Sequence, residues 1–358
     1  MRQILFEIPI REPWNLGPLG EWPGFGFGLV LLLWTIFGGI SVWRTRRQEG
    51  GFGAETRASL FWWAGIAAAI VLLPNFRERP LPVYGYGAFL VAAAFFSGWT
   101  AGARAKKVGV APAFARDLGM YLVLAGVVGA RTFHAIQHRD RVFKDCETIG
   151  DYVITFVSLP DGGLTLCGGI IFASIAYILL CRRNGIDPLK FGDAIVPAVF
   201  IGIAFGRMGC LMNGCCYGDA CSLPWAITFP QGSLPWNVLV GRGQVLPDAV
   251  ATMPLHPTQL YSALNGLILA AVTTVYYRYR RGDGGVVGLG LMLYAITRFC
   301  IEILRNDEAG QMGTTLTISQ LVSFGTFCAG AALAWWSWTR AQAGLRSSVP
   351  NSAARPAV

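Results

Sequence analysis

Charge is what this sequence has least of. Of 358 residues, 14% are charged and 54% are hydrophobic, whereas a soluble domain carries about a quarter charged residues. The shortage excludes an ordinary water-facing surface. The apolar runs are also hydrophobic all round rather than along one stripe, which places them in a membrane. No internal repeat and no C-x-x-C motif occurs, and the nine cysteines are too scattered for a paired extracellular framework. A cleaved signal peptide is excluded as well: the first apolar run starts near Gly24, behind Glu7, Arg11, Glu12 and Glu21, and reads as a retained span.

What remains is a series of long apolar stretches, at 24–43, 59–74, 84–104, 117–136, 162–181, 190–213, 258–277, 285–304 and 315–338. Each is long enough, or nearly so, to cross about 30 Å of hydrocarbon. The second is the shortest and ends at Pro74. The sequence therefore predicts an all-α polytopic membrane protein of about nine helices.

Basic clusters lie at Arg44, Arg46, Arg47; at Arg104, Lys106, Lys107; at Arg182, Arg183, Lys190; at Arg278, Arg280, Arg281; and at Arg340, Arg346. They occupy every second loop and the carboxyl end. One orientation then puts them all in the cytoplasm, with the amino terminus outside; Arg77, Arg79 and the Arg139 to Lys144 stretch are exceptions on the outer side. The net charge of +9 is thereby a topology signal, with some attraction to anionic lipid, and not a nucleic-acid footprint.

The loops 137–161 and 214–257 fall outside in this topology. The second contains "LPWAITFP" and "GSLPWNVLVG", whose Pro, Trp and Gly recur without helical period, and reads as an irregular or short β arm at the interface. Residues 341–358, ending in "SSVPNSAARPAV", read as a disordered tail.

Ionisable residues inside the runs are few: Arg131, Asp193, Arg207, Arg298, Glu302 and, at an edge, Arg305. Each costs about 2.5–3.5 kcal/mol or more at a helix centre, so each requires a partner or a polar cavity. In "YAITRFCIEILR", Tyr294, Arg298, Glu302 and Arg305 follow at spacings of four, four and three and share one helix face. Two readings are open, an ion-paired stripe that fixes packing or a guanidinium presented to a bound anion such as a phospholipid phosphate. In "HPTQLY", Pro257 suits a first helical turn, and His256 is either a base or an interfacial residue.

The segments "VYGYGAFLVAAAFFSGWTAGARAKKVG", "GARTFHAI", "DGGLTLCGGI", "GRMGCLMNGCCYG", "HPTQLYSALNGLIL" and "YAITRFCIEILRND", in that order, together resemble the prolipoprotein diacylglyceryl transferase family. The similarity runs from about residue 80 to 338. It implies a seven-helix core at 77–340, preceded by a two-helix extension at 1–76. Members of that family move the diacylglyceryl group of phosphatidylglycerol onto the lipobox cysteine of a prolipoprotein, forming a thioether and releasing glycerol phosphate. The implied location is the bacterial inner membrane. The implied partners are phosphatidylglycerol, lipobox peptides and membrane lipids, with no nucleic acid, cofactor or metal.

Residue by residue, the resemblance places Arg207, Arg298, Glu302, Tyr294 and His256 at catalytic positions, with Cys167 where the family has a histidine. Tyr84, Arg131, Asn213, Gly214, Gly218, Cys210 and Cys215 fall at substrate-binding positions. Cys210 and Cys215 replace an asparagine and a glutamate of the family signature.

Arginines on the leaving phosphate would favour the transition state. The acceptor thiol also needs deprotonation, and with Cys167 in place of the histidine the base stays unassigned. Cys210, Cys215, Cys216 and Cys221 are spaced C-x₄-C-C-x₄-C, which is not a common zinc pattern; a disulfide involving Cys221, or free thiols in a Gly-rich turn, are the alternatives. These departures also leave open a lapsed relative that binds phospholipid or precursor without reacting, or a membrane thiol–disulfide protein.

Overall fold

The computed structural model describes residues 4–8, 14–15, 21–22, 26–76, 81–144, 148–157, 163, 165–305 and 316–348. They fall into two compact units, Arg2–Ala88 and Phe89–Val358.

The first unit contains β1 (Ile4–Ile8), β2 (Trp14–Asn15), β3 (Glu21–Trp22), α1 (Gly26–Glu49), α2 (Ala54–Phe76) and β4 (Leu81–Tyr84). β1 pairs antiparallel with β4, Ile8 opposite Leu81, and β2 pairs with β3. The β1–β4 ladder carries this unit past residue 76. In the α1–α2 hairpin, Trp34 Nε1 donates to the Trp63 carbonyl at 3.0 Å, with the two rings 4.3 Å apart. α2 does not stop at Pro74 as the sequence suggests. A proline in the last turn removes only its own N–H bond, so the helix reaches Phe76.

Next come α3 (Gly85–Ala105), α4 (Pro112–Gln137), α5 (Arg139–Val142), α6 (Ile149–Val157), α7 (Leu166–Arg183), α8 (Pro188–Asn213), α9 (Leu234–Gly241), α10 (Thr258–Tyr276), α11 (Gly285–Ile303) and α12 (Ile318–Ser348). Among the described residues, α3, α4, α8, α10, α11 and α12 are long and apolar enough to cross a membrane. The other three expected runs are helical too, as α1, α2 and α7. The protein is an all-α polytopic membrane protein. Large side chains such as Val91, Phe95, Trp99 and Val123 remain more than 60% exposed, a surface that suits lipid and not water.

Lipid gives helices no hydrophobic reason to associate, so close backbone contact must hold them together. α11 meets α12 where Gly288 faces Gly330: a methyl on either would lie 2.8 Å from the other's carbonyl oxygen. α4 crosses α7 the same way at Gly129 and Gly168, and α10 packs on α8 and on α11.

Two expectations are corrected. "LPWNVLVG" in the arm forms α9, because Pro235 sits in the first turn, where its missing N–H costs nothing. The rest of the arm is held by isolated bridges, such as Ile227 with Leu255. α12 also runs to Ser348, through "AQAGL", and so takes in the first residues of the expected tail; residues 349–358 lie outside the described residues.

One buried carboxylate joins α8 to the start of α11. Asp193 is 0% exposed and accepts hydrogen bonds from the N–H groups of Gly284, Val286 and Val287 at 2.8, 3.0 and 2.9 Å, with Arg280 Nη1 at 3.4 Å. It thus satisfies donors that a helix N-terminus leaves open. Asp193→Ala should orphan those donors and destabilise the protein by about 2–4 kcal/mol; a thermal midpoint in detergent within a degree of the parent would contradict this role.

Candidate active site

The predicted stripe on α11 is present, and it is built around Glu302. The Glu302 side chain is 1% exposed. Its Oε2 lies 2.5 Å from Arg298 Nη1 and 3.9 Å from Arg305 Nη1, and Oε1 accepts from Thr317 Oγ1 at 3.3 Å. Arg298 Nη2 donates to Ser319 Oγ at 3.0 Å. Oε2 is thus met by cations and Oε1 by a hydroxyl, and this ion pairing holds both guanidiniums beside the buried carboxylate. Tyr294, one turn before Arg298, packs near Phe200 of α8, with ring centres 6.1 Å apart.

Thr317 belongs to a device that the sequence reading missed. Its hydroxyl accepts from Gln320 N at 3.3 Å, while Gln320 Oε1 accepts from Thr317 N at 3.0 Å. This is a capping box at the start of α12, visible in the sequence as Thr-x-x-Gln before an apolar run. The box presents the threonine hydroxyl to Glu302.

The segment 206–218 folds against the same place. α8 ends at Asn213, and Gly214 follows with φ 79, its N–H bonded to the Cys210 carbonyl at 2.9 Å. A left-handed residue here is natural for glycine. Gly218 lies where three elements meet: a methyl on it would be 2.6 Å from Leu304 O, 2.7 Å from His256 Cβ and 2.8 Å from Thr258 Cγ2. Gly218 N donates to His256 O at 2.9 Å, His256 N to Asp219 O at 2.8 Å, and Asp219 N to Leu304 O at 3.0 Å. The first turn of α10 completes the clamp, Thr258 Oγ1 donating to Cys216 O at 2.6 Å and Gln259 Nε2 to Cys215 O at 2.8 Å.

Among the described residues Arg207 forms no ion pair or hydrogen bond, yet both it and Arg305 act electrostatically on Cys216. The Cys216 thiol is held well below the usual thiol range, first by hydrogen bonds from the Cys210 and Cys215 thiols and then by those two cations; burial pushes the other way. Asn213 hydrogen-bonds the Cys215 thiol. Cys210, Cys215, Cys216 and Cys221 are all free.

His256 is oriented by a short relay. Trp225 Nε1 can only donate, and it gives its proton to Tyr261 OH at 2.7 Å; Tyr261 OH lies 3.3 Å from His256 Nδ1. The phenol group thus links the indole to the imidazole.

The fold therefore gathers Arg207, Cys210, Asn213, Gly214, Cys215, Gly218, His256, Arg298 and Glu302 toward the packed ends of α8, α10 and α11, whereas Tyr294 sits mid-helix in α11 against Phe200 in the middle of α8. Arg131 and Cys167 belong to the α4–α7 pair instead. Arg131 is 7% exposed and donates to the carbonyls of Phe156, Gly163 and Thr155 at 3.0, 3.2 and 2.7 Å, so it fastens α6 and the segment before α7 to α4. Cys167 is half-buried in the first turn of α7. Tyr84 closes β4 in the first unit and is 55% exposed.

A methyl at Gly218 would meet backbone that cannot swing aside. Gly218→Ala should displace the end of α11 and destabilise by about 1–3 kcal/mol. The check is the thermal midpoint beside Gly65→Ala, where an added methyl meets nothing within 4 Å; equal midpoints would refute the close approach.

Comparison with known proteins identifies the family. A family model described as prolipoprotein diacylglyceryl transferase matches residues 75–336, which contain every residue of the cluster. Three curated relatives carry the name phosphatidylglycerol–prolipoprotein diacylglyceryl transferase. The protein of Rhodopirellula baltica is 28% identical, the match covering 94% of this chain and 89% of that protein. That of Clostridium tetani is 28% identical over 70% and 91%, respectively, and that of Photobacterium profundum 30% identical over 72% and 90%. With the family model spanning most of the chain, the chain belongs to the prolipoprotein diacylglyceryl transferase family.

Proposed function

We propose that this protein is a multi-pass transferase of the bacterial inner membrane that moves the diacylglyceryl group of phosphatidylglycerol onto the cysteine thiol of a prolipoprotein. The observation that carries the reading is the charge of the cluster. Three guanidiniums, those of Arg207, Arg298 and Arg305, converge on one buried carboxylate and the cysteine loop. Guanidiniums gathered at the ends of membrane helices suit an anion, and a guanidinium matches phosphate with two parallel hydrogen bonds.

The lipid chains have a seat beside it. A cavity of about 680 Å³ runs between α8 and α10, lined by Phe205, Met208, Trp225, Leu260, Tyr261 and Leu264. It is almost wholly apolar and reaches Pro257, next to His256.

The reaction is a displacement at a glyceryl carbon. The acceptor sulfur attacks as thiolate, the carbon–oxygen bond to phosphate breaks, and the electron pair leaves on glycerol phosphate. Arg207 and Arg298 take the charge that gathers on the leaving phosphate, which is where hydrogen-bond donors accelerate such a step. Glu302 holds Arg298 at its station. Tyr294 and His256 position the substrate, His256 through Tyr261. Asn213, Gly214 and Gly218 shape the loop that faces it. The distribution of the basic clusters supports an amino terminus outside and a carboxyl terminus in the cytoplasm, with residues 1–76 as an extension of the transferase core.

In phosphatidylglycerol micelles with a lipobox peptide, the parent protein should add the mass of a diacylglyceryl group to the peptide cysteine. Arg207→Ala and Arg298→Ala should each lower the rate by about 100-fold or more, and Arg298→Lys should restore little of it. Folded protein that yields no product with any phospholipid would reject the proposal.

A further inference from the structure

The transfer just described needs the acceptor as thiolate, and no base was assigned to take its proton. One feature of the cluster is also unused: the Sγ atoms of Cys210, Cys215 and Cys216 all lie within 4.8 Å of one another. Three sulfurs around a tetrahedral zinc, each about 2.3 Å from the metal, sit about 3.8 Å apart. Small side-chain rotations close that difference.

The convergence is built in. Adjacent side chains normally diverge, which is why vicinal cysteines seldom share an ion. Cys216, however, has φ 60, the one positive φ outside glycine among the described residues. Backbone in this region is costly for a residue with a side chain, and such residues gather at functional sites. The turn is pinned from both sides, by Gly214 N and Cys215 N on the Cys210 carbonyl and by Gln259 and Thr258 on the carbonyls of Cys215 and Cys216. The thiols are free and half-buried rather than sealed. Three thiolates with a divalent ion carry one net negative charge, which Arg207 and Arg305 offset from within electrostatic reach. Cys210 and Cys215, which stand where the family signature has polar residues, are thus two corners of one site.

We propose that Cys210, Cys215 and Cys216 form a three-thiolate site for a thiophilic divalent cation, zinc foremost, whose open fourth position receives the acceptor thiol of the transfer reaction. The second half of this statement rests on the function proposed above. Three protein ligands and one open position are the pattern of a catalytic zinc, and a thiol bound to such an ion is deprotonated outright. The acceptor S–H enters the fourth position, a metal–sulfur bond forms and the proton passes to water. The bound sulfur then attacks the glyceryl carbon; a carbon–sulfur bond forms as the carbon–oxygen bond breaks, and glycerol phosphate departs with the electron pair. The product thioether is a weaker ligand than a thiolate and leaves the ion. The ion thereby supplies the thiolate that a base would otherwise supply.

The test uses the full chain in detergent, reduced, stripped with a chelator and titrated with Co²⁺ as a coloured stand-in for zinc. One equivalent should produce a strong thiolate-to-cobalt charge-transfer band. Cys215→Ser and Cys216→Ser should each weaken binding by about 100-fold, whereas Cys221→Ser, outside the trio, should leave it unchanged. A lipobox peptide should shift the cobalt spectrum, and its Cys→Ser analogue should not. Stripped protein should lose transfer by at least about tenfold and regain it with zinc. A missing band, a band that survives both substitutions, or a disulfide among the three cysteines in protein taken from its native membrane would overturn the site. Full transfer by stripped protein would overturn thiol activation while leaving the transferase reading intact. A peptide-responsive cobalt spectrum without transfer at any metal load would support the site and count against the transferase reading.

Discussion

The structure turns on a carboxylate buried where carboxylates are expensive. Glu302, 1% exposed, is tolerable only because Arg298, Arg305 and Thr317 meet it on both oxygens; an isolated charge at that depth would cost several kcal/mol. The consequence runs outward. Because Glu302 must be paired, Arg298 and Arg305 are held in single places, and because Thr317 belongs to the capping box of α12, that helix is tied to the same point. The peptide group of Asp219 then bonds the carbonyl of Leu304, which brings the signature loop to the stripe.

α11 is in effect held by a buried acid at each end. Asp193, from α8, takes the free N–H groups at its start, and Glu302 gathers cations near its finish. Both arrangements follow the helix dipole, negative charge at the N-terminus and positive at the C-terminus. Between them the helix meets α12 through glycine backbone, so it has little freedom to slide. On the α8 side, the Ala194 carbonyl next to Asp193 accepts from Arg104 Nε at 2.5 Å, which ties α8 to the end of α3. Rigid elements of this kind are what a site needs if a guanidinium is to meet phosphate in a fixed geometry.

Much of this was legible in the residues, and the rest was not for identifiable reasons. Apolar runs report burial in lipid directly, so the helices appear where the runs are. The stripe of Tyr294, Arg298, Glu302 and Arg305 needed only helical spacing. By contrast, the β1–β4 pairing joins segments more than 70 residues apart, and nothing local announces it. α9 was masked by Pro and Trp in a segment that lacks helical period. The capping box at Thr317 is written in the sequence as Thr-x-x-Gln, but that pattern announces only a helix start and not the acid that the hydroxyl meets. The meeting of three thiols depends on a positive φ at Cys216, a conformation that no residue type there advertises. Arg131 illustrates the opposite case: an arginine inside a span signals need of partners, and here three backbone carbonyls meet that need.

The claim at the centre is that Glu302 acts through Arg298, and a double-mutant cycle on the transfer rate addresses it most directly. Arg298→Gln and Glu302→Gln are measured singly and together, as kcat/KM with phosphatidylglycerol and a lipobox peptide. The account predicts that the double variant loses no more than the worse single one, because each change already disables the same unit. Losses that multiply would mean that the two residues serve separately, and would contradict it.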